Sequence, residues 1–128
     1  MAVSYRQWTQ GNWSSANGES AFDELKYPEL DVVFTSNDQM ALGVLHCANA
    51  HKLAIPKDLA VIGFDDLTEA AYFSPSLTTV THLLHELGIL AVKTLLAQIE
   101  GADVRFPGNF YALRTELLAR DITPKANR

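Results

Sequence analysis

A chain of 128 residues with 15 acidic and 10 basic side chains carries a formal net charge of −5. That length sits near the mode for one domain, and folding at this size buries roughly 65–70% of the surface the unfolded chain exposes, so a core needs no disulfide or metal. The composition, 48% apolar and 20% charged, is ordinary globular usage, and the acidic balance argues against direct nucleic-acid contact by these residues.

In chain order, short β-prone runs alternate with helical patterns. Residues 14–25 open on Ser14-Ser15, good N-cap types, and Tyr27-Pro28 ends that helix. Asp31-Val32-Val33-Phe34-Thr35 is rich in β-branched residues and reads as a buried strand. Ser36-Asn37-Asp38 offers capping side chains, and Met40, Ala41, Val44, Leu45 and Ala48 then recur at helical spacing to about His51. Ile55-Pro56-Lys57-Asp58 is a turn, and Leu59 to Phe64 is an apolar run of strand length ended by Asp65-Asp66. A short helix over residues 68–73 is broken by Ser74-Pro75-Ser76, after which Leu77-Thr78-Thr79-Val80 is β-prone. From His85 to Glu100, Leu87, Leu90, Ala91, Leu95 and Ile99 share one helical face, with Gly101 as the stop. Phe106-Pro107-Gly108-Asn109 is a turn, and residues 110–119 form a final strand.

Strands separated by helical patterns imply right-handed βαβ units and an α/β fold with a mostly parallel sheet. Ligands of such sheets gather at the carboxyl ends of the strands. Asn37-Asp38, Asp65-Asp66 and Thr81-His82 stand at those ends. Asn37 either caps the following helix or points an amide, both donor and acceptor, at a hydroxylated ligand. A carboxylate of Asp65 or Asp66 can accept from two ligand hydroxyls, bind a cation, or cap the next segment. Trp13, after Gly11-Asn12, can stack on the apolar face of a sugar or a base, or can serve a core or interface. The acidic excess is confined to residues 1–80, with ten acidic and four basic side chains, and most of it reads as solvated surface.

Covalent chemistry finds no support. A nucleophile elbow, a phosphate loop and G-x-G-x-x-G are all missing. His82 and His85 are three apart and His46 and His51 five apart, with no third ligand at metal spacing. The single cysteine, Cys47, lies among apolar neighbours and reads as a small core residue. No run has signal-peptide character, and none approaches the ~18 apolar residues of a membrane span.

Residues 37–43, beginning Asn37-Asp38-Gln39-Met40-Ala41, are similar to the N-D-x-M-A-x-G segment of the family of LacI-type bacterial transcription regulators. Val61-Ile62-Gly63-Phe64-Asp65-Asp66 resembles its V-x-G-[FY]-D-D strand, and Pro75-Ser76-Leu77-Thr78-Thr79-Val80 its P-x-L-T-T-[VI] stretch. Gly11-Asn12-Trp13-Ser14 resembles G-x-[WF]-[ST], and Leu87-Gly88 and Thr115-Glu116-Leu117 also fit. These pieces keep their order over nearly all of residues 10–121.

The resemblance implies one lobe of a type I periplasmic-binding-protein-like core, a three-layer αβα sandwich. Residues 1–128 would be the C-terminal effector-binding and dimerisation lobe. Within it, residues 1–80 form the core, 82–101 the crossover helix and 110–121 the final strand. The helix-turn-helix, hinge helix and first lobe would be absent, which makes the chain a fragment. Carried over by motif, Trp13 stacks on effector, Asn37 is the cleft amide and Asp65 grips sugar hydroxyls. His82 falls where a polar crossover residue, commonly Gln, stands, while Leu84 replaces a frequent aromatic. The implied partners are a small carbohydrate-like effector and a second copy of the chain, with DNA reached only through the absent N-terminal region. No cofactor, metal, enzymatic activity or membrane contact is expected, and the setting is cytoplasmic. Helix 85–100, lacking its first lobe, would pack elsewhere or expose Leu87, Leu90 and Leu95. Two rivals remain at this stage: a solute receptor of a transporter, and a metal-dependent phosphoacceptor domain around Asp65-Asp66. The latter lacks a lysine at a strand end, Lys93 lying mid-helix.

Overall fold

The computed structural model describes residues 7–25, 29–102 and 111–123. Four strands make one sheet: β1 (Val32–Phe34), β2 (Ala60–Phe64), β3 (Thr78–Thr81) and β4 (Glu116–Leu118), in that spatial order. β1, β2 and β3 are parallel, with Val33 opposite Val61 and Gly63 opposite Thr79, and β4 runs antiparallel to β3. Parallel neighbours need crossover connections. Helix α2 (Asp38–Ala50) links β1 to β2, and a segment with a 3-10 turn at Thr68–Tyr72 links β2 to β3. Helix α1 (Ser15–Glu24) precedes the sheet, and α3 (Leu84–Ile99) separates β3 from β4. The chain therefore folds as an α/β lobe with a mostly parallel sheet.

The helices start where their caps allow. Ser14 Oγ accepts from Asn17 N at 3.2 Å, and Asn37 Oδ1 accepts from Met40 N at 2.8 Å. Each satisfies a backbone donor that has no partner within the first turn. α1 and α2 pack against each other through glycines. A Cβ on Gly43 would strike the carbonyl oxygen of Ser15, and one on Gly18 the backbone of Met40. The core lies between this helix pair and one face of the sheet. It joins Phe22 of α1, Val44 and Leu45 of α2, Val61 of β2, and Leu59, Leu77 and Ile122 of the connecting segments. Cys47 is buried there as expected, and burial, with the charges of Asp23 and Glu19, pushes its thiol pKa up.

Two expectations need correction. β1 is not a buried strand: Val33 meets the core, but Phe34 is 62% exposed and Val32 is also open to solvent. It is an edge strand, and alternation turns every second residue to the face away from α1 and α2. The last strand is only Glu116–Leu118 rather than 110–119, because β3 offers just Thr79–Thr81 for pairing. The short helix expected over residues 68–73 is present as a 3-10 helix at Thr68–Tyr72. The breaks expected at Tyr27-Pro28 and Phe106–Asn109 lie outside the described residues. α3 takes the exposing alternative, since none of its 16 residues is buried. Among the described residues, no helix is long and apolar enough to cross a membrane.

Candidate functional site

The carboxyl ends of β1, β2 and β3 lie side by side, and the four residues singled out from sequence stand at or beside them. Asn37 follows β1 and is 5% exposed. Its amide works twice: Oδ1 caps α2, and Nδ2 donates to the Trp13 carbonyl oxygen at 3.0 Å. Asn37 thus caps α2 with one amide atom and anchors the Trp13 loop with the other. That loop is laced by asparagines, with Asn12 N donating to Asn17 Oδ1 at 2.7 Å and Ser14 Oγ to Asn12 Oδ1 at 2.7 Å. Trp13 sits at φ 71° and is 64% exposed. That exposure removes the core reading of this tryptophan.

β2 ends in two residues of positive φ, Asp65 at 107° and Asp66 at 54°. Neither is glycine, so the turn stores strain, about 1–3 kcal/mol for each such residue. The two carboxylates turn to different partners. Asp65 Oδ1 accepts from His82 Nε2 at 2.8 Å, and the His82 ring meets Phe64 edge-on at 4.9 Å between centroids. Asp66 Oδ1 accepts from Arg120 Nη2 at 2.9 Å, while Arg120 Nη1 donates to the Leu77 carbonyl at 2.8 Å. A divided pair does not clasp one cation, which removes the geometric basis for the phosphoacceptor reading. Neither aspartate caps the 3-10 turn, whose Leu67 N–H donates instead to Asp38 Oδ2 at 2.8 Å.

Asp38 is the residue that sequence reasoning undervalued. It is fully buried and ties three elements together. Besides Leu67 N, it receives the Thr79 hydroxyl on Oδ1 at 2.6 Å. Desolvation raises its pKa above the ordinary value of 3.8; those two hydrogen bonds oppose the rise, and the charges of Asp65 and Asp66 add to it. The sequence placed it beside Asn37 at a strand end and in the N-D-x-M-A-x-G motif, but nothing local pointed to its partners Leu67 and Thr79. Arg120 gave no signal, because its role depends on β4 folding back against β3. The structure therefore brings Trp13 to Asn37, and Asp65 to His82. An open depression of about 570 Å³ lies elsewhere, lined only by α3 residues such as Leu84, Ile89 and Val92. One helix cannot enclose a ligand, so this depression is exposed helix face.

A model of the periplasmic binding protein-like domain matches residues 2–121. The chain belongs to that family. It is 36% identical to the HTH-type transcriptional regulator MalR of Streptomyces coelicolor over 109 residues, covering 85% of this chain and 31% of MalR. It is 45% identical to the ribose operon repressor of Escherichia coli over 67 residues, covering 52% of this chain and 20% of that repressor. Among solved structures, a lac repressor dimer bound to operator and the anti-inducer ONPF superposes with a TM-score of 0.79 at 29% identity. That match covers 88% of this chain and 39% of the repressor. Within the family, this is an effector-binding domain of the LacI type. The proteins it matches are regulators and repressors rather than enzymes. The chain spans about a third or less of the length of these curated relatives.

Proposed function

We propose that this lobe senses a small, sugar-like effector for a LacI-type regulator, acting as a homodimer in the cytoplasm and reaching DNA through a separate reader region. The observation that carries the reading is the Asp65–His82 pair at 2.8 Å, set on a strained turn at the carboxyl end of a central strand. Such strain persists where the surrounding structure enforces it, and it clusters at ligand sites. In this reading, Asp65 accepts from vicinal hydroxyls with the oxygen not turned to His82. Trp13 covers the ligand's apolar face, and Asn37, its amide committed to α2 and to the Trp13 carbonyl, holds the Trp13 loop in place. His82 orients Asp65 and contributes a polar edge of its own. Relatives support the chemical class: one is a ribose operon repressor, and one solved relative is a regulator in complex with cellobiose.

In this reading the chain is one lobe of the two-lobed core that the resemblance to LacI-type regulators implies, and it supplies half of a cleft. Closure on ligand would bias a dimer and so couple effector to operator. Dimerisation is supported by the solved relative described as a dimer on operator, and by apolar surface on α3 and at Tyr72 that a lone chain leaves open. Half a cleft makes fewer contacts with the ligand and so binds weakly on its own. A panel of monosaccharides, disaccharides and nucleosides, followed by NMR, tests this. The expected result is a saturable shift of the Trp13 indole and His82 ring signals with one ligand class, lost in Asp65→Asn. Tight binding by this chain alone would sink the half-cleft reading. A panel that moves neither signal would sink the sugar-like one. Sedimentation that finds only a monomer at high concentration would remove the homodimer.

A further inference from the structure

Away from the strand ends, the far ends of α1 and α2 bring together three different metal-ligating side chains. Cys47 and His51 are four residues apart, at the end of α2 and its C-cap, so they share one helix face. Asp23, in the last turn of α1, faces them across the helix pair. Its Oδ1 accepts from His51 Nε2 at 3.0 Å and lies 3.9 Å from Cys47 Sγ. The three ligand atoms all fall within 4.8 Å of one another. The histidine spacings in the sequence gave no metal pattern because the third ligand comes from another helix.

We propose that Asp23, Cys47 and His51 form a zinc(II) site that clasps the C-terminal ends of α1 and α2. Tetrahedral zinc with bonds of ~2.0 Å to N and O and ~2.3 Å to S separates its ligand atoms by about 3.3–3.6 Å. The present separations bracket that range, so small side-chain rotations suffice. The donor set is one thiolate, one imidazole and one carboxylate, which suits zinc and not magnesium or calcium, both of which take oxygen ligands. Two donors aimed at a single carboxylate oxygen is an arrangement that a cation can replace. The thiol proton leaves to solvent, His51 coordinates through the Nε2 lone pair with its proton on Nδ1, and Asp23 remains a carboxylate. The buried sulfur anchors the ion from inside. The Asp23 and His51 side chains, 62% and 35% exposed, leave a path for entry and a fourth position for water.

This site lies apart from the effector residues, so its test does not depend on them. Cobalt(II), added to the chain freed of metal, is the optical probe. The expected result is one equivalent bound, with a sulfur-to-cobalt charge-transfer band in the near ultraviolet and the visible bands of tetrahedral cobalt. Zinc should displace the cobalt and raise the thermal unfolding midpoint, while magnesium should do neither. His51→Ala, at a partly exposed helix end, should keep the fold by circular dichroism and weaken binding by about 10–100-fold or more. Cys47→Ser should lose the charge-transfer band. If Cys47→Ser fails to fold, His51→Ala still decides the matter. Binding without the band, His51→Ala affinity equal to the parent's, or a midpoint shift matched by magnesium would each overturn the zinc site.

Discussion

α2 and α3 carry the same sequence logic and meet opposite fates. Both repeat apolar residues at helical spacing, yet α2 buries eight of its 13 residues and α3 none of its 16. The difference lies in the partner surface: α2 packs on α1 and the sheet, whereas α3 packs closely on no other described element. α2 presents Ala41, Gly43 and Ala48, which let α1 and the sheet approach closely, and Gly43 meets the α1 backbone directly. α3 presents Leu87, Val92, Leu95 and Ile99, and its Gly88 meets nothing within 4 Å. Periodicity thus reports that a helix needs a partner surface, while the partner must be found by packing.

The largest test of this contrast removes one large apolar side chain from each side. Phe22→Ala opens a hole in the core between α1, α2 and the sheet and should cost about 3–5 kcal/mol in denaturant unfolding. Leu95→Ala on α3 should change the stability of the lone chain by no more than about 0.5 kcal/mol. Equal costs would mean that α3 is covered in solution, and a dependence of the Leu95→Ala cost on protein concentration would identify that cover as a second copy.

The two glycines sharpen the same contrast. Gly43→Ala drives a methyl into the Ser15 carbonyl and should cost about 3 kcal/mol, at the upper end for overpacking. Gly88→Ala meets open space in a helix interior and should stabilise α3 locally by about 1 kcal/mol. Amide exchange along α3 reads the second effect. A loss of protection in Gly88→Ala would show that this face is packed.

Asp38 separates the rigid half by chemistry rather than size. Asp38→Asn can keep its amide oxygen on the Leu67 N–H, but its N–H₂ then faces the Thr79 hydroxyl, which must turn its own proton away and lose its acceptor, at about 1–3 kcal/mol. The pH dependence has a definite sign. The folded pKa is raised, so Asp38's titration favours the folded state fully below the ordinary carboxylate pKa, and that contribution is lost as pH rises through the folded value. The cost of Asp38→Asn should therefore be largest in acid and shrink as pH rises across that window. A cost that grows with pH would show that the hydrogen bonds outweigh the burial.

Much of this was legible in the residues. The order of strands and helices followed from alternating β-branched runs and 3.6-residue periodicity, because each run had one buried face to satisfy. Ser14 and Asn37 marked helix starts, since an oxygen at that position has backbone donors to serve. The site was legible as a set of strand ends. Its wiring was not, because Asp65 pairs with His82 from 17 residues away and Asp66 with Arg120 from 54. Such contacts are set by sheet register, which no local pattern encodes. β1 was misread for a related reason: whether a short apolar run is central or at an edge depends on strand order. The exposure of α3 could be posed from sequence as one of two outcomes, and only packing chose between them.

The smallest effect tests whether the site half is built for stability or for ligand. Asp65 holds φ 107°, a conformation that costs an L side chain strain and costs glycine none. Asp65→Gly removes that strain and also the hydrogen bond to His82, which is only partly buried and contributes little on its own. Glycine adds chain entropy to the unfolded state, which offsets part of the gain. The net expectation is a stabilisation of about 1 kcal/mol, together with loss of the ligand-induced shift at His82. Asp65→Asn separates the two terms, since it keeps the backbone strain while discharging the carboxylate. If Asp65→Gly destabilises the chain, the His82 contact is the structural reason for the aspartate. If it stabilises the chain, a strained carboxylate is being kept at the end of β2 at a cost in stability, and the ligand becomes the reason to keep it.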